Sequence, residues 1–175
     1  ANLQNTNFDY ATLDGADLRS IVAMNATFIH AGMNDTFLQN SEFNRYSWTE
    51  CGGYCGEAIM TNTNLRYADL TNANLRYVDL IDANLMSADL TNTHLAYTDL
   101  TNANLYGADL TNAYLYSADL TDADLRYADL TNADFSSATV TNADFTATTW
   151  SNTEWVDNEI YDSQPLMTTC ELVPY

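Results

Sequence analysis

Asn64-Leu65-Arg66-Tyr67-Ala68-Asp69-Leu70-Thr71-Asn72-Ala73 opens a run in which leucine returns at every fifth residue, with a small residue two places before it. Leu75, Leu80, Leu85 and Leu90 continue the spacing without a break to Leu130, while Val78, Ala83, Ala88, Thr93 and Thr98 stand among the small residues. A five-residue period fits neither common element. On an α-helix, steps of about 100° would carry these leucines around every side. On a straight strand an odd period sends alternate leucines to opposite faces. They can share one core only if the chain turns a corner at each repeat, which makes the expected object a β-solenoid.

A second period lies over the first, since Leu-Arg-Tyr and Leu-Thr-Asn alternate and adjacent walls therefore differ in chemistry. With its Ala-(Asp/Asn)-Leu-X-X units the chain resembles the pentapeptide-repeat family, cyanobacterial members in particular. The resemblance implies an all-β fold, a right-handed quadrilateral parallel β-helix with four repeats per coil and the central Leu/Phe and preceding Ala turned inward. Stepping by twenty residues then puts Asp69, Asp89, Asp109 and Asp129 on one wall and Asp79, Asp99 and Asp119 on the opposite one. Asn64, Asn84, Asn104, Asp124 and Asp144 fall on a third wall, and Asn74, His94, Tyr114 and Asp134 on the fourth. Neighbouring carboxylates about 4.8 Å apart repel by roughly 1 kcal/mol in bulk water. Thr71, Thr91, Thr111 and Thr131, with Asn72, Asn92, Asn112 and Asn132, read as corner residues whose side chains bond local backbone. Tyr67, Tyr77, Tyr97, Tyr106, Tyr116 and Tyr127 fall near corners of the other two walls, beside Arg66, Arg76 and Arg126.

Working outward, Leu3, Phe8, Leu13, Leu18, Phe28, Met33, Leu38 and Phe43 hold the same phase toward the N-terminus. Ala23 is a weak occupant of this series. Its neighbours Ile21 and Val22 are unusually apolar, so this repeat is expected to be distorted or to pack against something outside. The phase is lost after Phe43 and resumes at Met60, which requires an insertion. The expected division is one solenoid domain, 1–175: N-terminal coils over 1–45, an inserted loop over 46–57, main coils over 58–157 and a C-terminal cap or tail over 158–175. The cap is expected to use Leu166, Met167, Leu172 and Val173, with a short helical turn around Pro165 to Glu171 and Cys170 as a buried thiol.

The loop holds Tyr46, Trp48 and Tyr54, candidate anchors for a partner, and also Cys51 and Cys55. These two cysteines could close a small disulfide ring, which would point to an oxidising compartment such as the periplasm or thylakoid lumen. Reduced structural thiols, and with them a cytoplasmic setting, are the alternative. No metal-ligand spacing, phosphate loop, nucleophile elbow or other catalytic motif is present, so neither catalysis nor a cofactor is expected. All five basic residues are arginines, against 24 acidic ones, and the net charge is −19. That balance disfavours direct contact with nucleic acid or an anionic membrane, and no apolar run is long enough for a membrane span.

Two functions remain. One is a non-catalytic scaffold, more readily a monomer than a dimer, whose protein partner reads the walls or the inserted loop. The other, which the resemblance makes concrete, is a DNA mimic acting on a type II topoisomerase, DNA gyrase.

Overall fold

The computed structural model describes residues 1–47, 53–156 and 160–161. Parallel bridges link each repeat to the one twenty residues on, as in Asn64↔Asn84↔Asn104 and Asp69↔Asp89↔Asp109, except across the insertion, where Thr27 bridges Ile59 and Glu42 bridges Asn74. Four walls result. The first carries Asn2, Val22, Glu42, Asn74, His94, Tyr114, Asp134 and Glu154; the second includes Asn7, Thr27, Ile59, Asp79, Asp99 and Asp119. The third runs through Asn64, Asn84, Asn104 and Asp124, and the fourth through Asp17, Phe37, Asp69, Asp89, Asp109 and Asp129. The two aspartate ladders thus occupy opposing walls.

Each corner is built the same way. Ala68 N–H donates to the Leu65 carbonyl at 3.1 Å, and the third residue of that turn, Tyr67, has φ +58°. Closing bond and positive φ together are those of a type II turn. Between coils, Leu65 N–H donates to Asn84 O at 2.7 Å and Asn84 N–H to Thr63 O at 2.9 Å, so the backbone is satisfied by stacking.

The interior is solid. Leu65 and the leucines after it to Leu130 are all fully buried, as are Phe28, Met33, Leu38, Phe43 and Met60. Each contributes about 1.5–3 kcal/mol before chain entropy is subtracted. Threonines that replace alanine inside remain paired: the Thr93 hydroxyl donates to the Leu70 carbonyl and the Thr98 hydroxyl to the Leu75 carbonyl, both at 2.8 Å, as buried polar groups require.

The repeat at Ala23 is not distorted. Ala23 N–H donates to Glu42 O at 2.8 Å, and Val22 bridges both Asn2 and Glu42 in register. Ile21 turns inward and is buried with Ala23. The large residue fills the small slot and the small residue the large one, conserving volume, which cores tolerate well.

Where the five-residue phase breaks, two strands form. β1 (Asn44–Ser47) pairs antiparallel with β2 (Gly53–Glu57), with Asn44 opposite Glu57 and Tyr46 opposite Tyr54. Strand pairing therefore begins at Asn44, two residues before the expected start of the insertion. Ala58 N–H still closes onto the Phe43 carbonyl at 3.1 Å, as at an ordinary corner, so the hairpin leaves the coil without breaking it.

At the other end Phe135, Phe145, Trp150 and Trp155 meet one another edge-on or tilted, at centroid distances of 4.8 to 6.0 Å. β3 (Thr153–Glu154) there pairs antiparallel with β4 (Ile160–Tyr161). The expected cap over 158–175, with Cys170, lies outside the described residues apart from Ile160–Tyr161.

Candidate functional site

The aspartates answer a backbone need. The Oδ1 atoms of Asp69, Asp79, Asp89, Asp99, Asp109, Asp119 and Asp129 each accept the N–H two residues on, at 2.9–3.1 Å. This is an Asx turn, and it satisfies a corner N–H that the solenoid path leaves unpaired. Thr71, Thr121 and Thr131 hydroxyls donate to the same oxygens at 2.6 Å. Those hydroxyls thus bind carboxylate, where the sequence suggested corner backbone. The signal was present in the sequence: an acceptor side chain recurs one place before leucine and two before threonine.

The tyrosines answer no such need. Tyr10, Tyr67, Tyr77, Tyr97 and Tyr127 all have φ between +58° and +63°, at corner positions that, apart from His30 and Ala147, Asn, Ser, Asp or Gly fill elsewhere. A side chain with no local hydrogen bond to offer pays roughly 1–2 kcal/mol to sit there. Backbone preference therefore does not account for these rings.

Apart from Tyr10, which stands between the second and third walls, they gather on two diagonally opposite corners. Where the third and fourth walls meet, Arg66 stands 5.1 Å over the Tyr67 ring and Arg126 5.5 Å over Tyr106. Arg126 also donates to both oxygens of Asp124, at 2.8 and 2.6 Å, and lies 3.7 Å from Asp144. The hydrogen bonds and nearby charge of Arg126 hold the Asp124 carboxyl below its ordinary range.

Where the first and second walls meet, Tyr77 stacks on Tyr97 at 4.8 Å and Tyr116 meets Tyr97 edge-on at 5.5 Å. On the adjoining first wall His94 and Tyr114 lie 5.4 Å apart. Tyr97, Tyr114 and Tyr116 are each more than two-fifths exposed. Desolvation, then the neighbouring Tyr116 and Tyr77, push the Tyr97 phenol up. The hairpin β1–β2 leaves the rod at this same corner, one coil before Tyr77, because Phe43 and Ala58 flank it just as Leu75 and Val78 flank Arg76-Tyr77.

Of the candidate residues, the aspartates stand on the two opposed walls described above. Tyr46 and Tyr54 face each other as Cα partners in the hairpin. Trp48 and Cys51 lie outside the described residues, and so does the Cys51–Cys55 pairing. The tyrosine corner as a continuous feature was missed in the sequence, where its members are spread over forty residues. Among the described residues no group of His, Cys, Asp and Glu is placed to hold a metal ion, and no helix is long and apolar enough to cross a membrane.

The family model for pentapeptide repeats matches in eight copies, over residues 1–45, 55–92, 83–122 and 113–149. Among solved structures, the trypsin-treated plasmid-mediated fluoroquinolone resistance protein QnrB1 is similar at 20% identity and a TM-score of 0.55, over 84% of this chain and 73% of that one. A pentapeptide repeat protein, Rfr23, from the cyanobacterium Cyanothece 51142 shares 25% identity over 74% of this chain and 90% of its own, with a TM-score of 0.37. A further one, from the thylakoid lumen of Arabidopsis thaliana, shares 21% over 78% and 66%, with a TM-score of 0.35. No curated protein matches the chain. The family match covers well over half of the sequence, and its unit is the one that builds every corner described above; the protein belongs to the pentapeptide-repeat family.

Proposed function

We propose that the protein is a non-catalytic scaffold, a monomeric rod that binds another protein at the corner where the hairpin emerges. The observation that carries this reading is the coincidence at one corner of an inserted hairpin and a run of tyrosines whose presence the backbone does not favour. Aromatic side chains of this kind act as binding anchors when a partner covers them. The filled interior argues the same way, since chemistry on a substrate needs a concave pocket and the leucine column occupies the axis. The Cys51–Cys55 spacing, read as a disulfide, supports an oxidising compartment on this reading.

The experiment is a pull-down from the source cell with the intact protein and with a variant in which Asn44–Glu57 is replaced by two residues, the number that closes other corners. A partner retained by the first and lost by the second supports the reading. A partner held equally by both removes the hairpin corner from it.

A second reading, a DNA mimic that modulates gyrase, draws on the two opposed carboxylate ladders. Their spacing of about 4.8 Å per coil is longer than the 3.4 Å per strand of duplex phosphates. The Asx turns moreover account for the aspartates without a partner. A supercoiling assay at low salt separates the two: the scaffold reading expects no inhibition, and inhibition weakened by Asp89→Asn with Asp109→Asn would establish mimicry instead.

A further inference from the structure

We propose that the corner between the first and second walls takes an arginine-bearing extended segment of the partner, its guanidinium groups stacked on Tyr97 and Tyr116 and paired with Asp99 and Asp119. This rests on the scaffold reading and names the chemistry of what it binds.

The protein itself shows what a guanidinium does on this surface. At the opposite corner Arg126 lies over the Tyr106 ring while donating to Asp124, with Asp144 close by. Arg66 also lies over the Tyr67 ring, its Nη2 donating to the Tyr67 hydroxyl at 3.1 Å in place of a carboxylate. A tyrosine face is thus where arginine rests on this scaffold, and at Arg126 a wall carboxylate pairs with it as well. At the first–second corner the rings and carboxylates are present, yet among the described residues no arginine stands over Tyr97 or Tyr116. Arg76, the arginine of that corner, turns its Nε–H to Asn74 Oδ1 at 3.2 Å.

The carboxylates have one oxygen to offer. Asp99 and Asp119, two and three residues past Tyr97 and Tyr116, use Oδ1 for their Asx turns. Among the described residues Oδ2 of each accepts no hydrogen bond. With five arginines against 24 acidic residues, the chain has few cations of its own to bring there. A cationic partner is the electrostatic complement. Arginine suits it better than lysine, because a planar, weakly hydrated guanidinium stacks on an aromatic face and still donates in its own plane. The rings follow one another coil by coil along the rod, so the matching segment is extended.

The test is calorimetric titration of the full protein with a soluble Arg-Ser repeat peptide, the matching Lys-Ser peptide and spermine. The expected result is saturable binding of the arginine peptide, with the lysine peptide and spermine roughly tenfold weaker or more. Tyr97→Ala with Tyr116→Ala should lose a similar factor, and Tyr67→Ala with Tyr127→Ala should lose none. Should the first pair fail to fold, Asp99→Asn with Asp119→Asn keeps the Asx acceptors, removes the charge and must weaken the arginine peptide likewise. Absence of binding, equal binding of arginine and lysine peptides, or binding indifferent to both corner pairs overturns the proposal. None of these outcomes touches the scaffold reading, which the hairpin replacement decides.

Discussion

Tyr77 and Tyr97 lie ring over ring, centroids 4.8 Å apart and planes 3° from parallel, although twenty residues separate them. One full coil intervenes between them, so the stack reports the coil spacing at the surface as directly as the leucines report it inside. Both residues occupy the positive-φ position of their turns. Tyr97→Asn would keep that turn and remove the ring. The protein is expected to melt at the same temperature or slightly higher, because Asn suits φ +61° better than Tyr. A fall of many degrees by circular dichroism would show that the stack is structural instead.

The acidic ladders carry a sharper forecast. Asp109 Oδ1 accepts Thr111 N–H at 2.9 Å, and Asn can accept the same bond without the charge. Asp109→Asn should therefore leave stability unchanged or raise it, by relieving repulsion from Asp89 and Asp129 on the same wall. Asp109→Ala leaves the corner N–H to water and should cost about 1 kcal/mol. Denaturant midpoints of the two variants check the difference; equal losses would mean that the charge, and not the turn, is what the position requires.

The inward column tests more severely. Leu105, fully buried in mid-rod, should cost about 2–5 kcal/mol as Ala. As Asp it should disrupt the coil, since an unpaired buried carboxylate is costlier still. Arg66→Ala removes one exposed-face stack of about 0.5–1 kcal/mol. Melting temperatures must fall least for Arg66→Ala, further for Leu105→Ala and furthest for Leu105→Asp.

His94 supplies a pH dependence. Burial, with a smaller contribution from the charge of Arg76, holds its imidazole below the ordinary value of 6.5, and its Nδ1 is buried without a hydrogen-bond partner among the described residues. The unfolded chain then binds this proton more readily than the folded one, so stability rises with pH in the window below 6.5 and falls as the solution is acidified through it. Melting temperatures at about pH 7.5 and about pH 5.5 should differ less in His94→Asn than in the unaltered protein. An identical difference would remove His94 from the account.

Much of the fold could be read in advance because a five-residue period has one solution: every leucine from Leu65 to Leu130 is buried where the period put it. The exchange of Ile21 and Ala23 could not be read, since a repeat template scores positions separately whereas packing conserves their joint volume. Nor could the hairpin, as Asn44–Ser47 and Gly53–Glu57 lack a clean alternation and are joined through the five residues 48–52. The tyrosine corner was hidden for a different reason. The twenty-residue step puts Tyr77, Tyr97 and Tyr116 near corners, but Tyr116 stands one place earlier in its turn than the other two, so no single ladder joins them.

The most direct test of the claim that one corner does the binding is site-specific photo-cross-linking in the source cell. A photoreactive phenylalanine analogue replaces Tyr97 in one variant and Tyr67, on the opposite corner, in another. The account predicts a discrete protein adduct from position 97 and none from position 67; adducts of equal yield from both corners, or from position 67 alone, would contradict it.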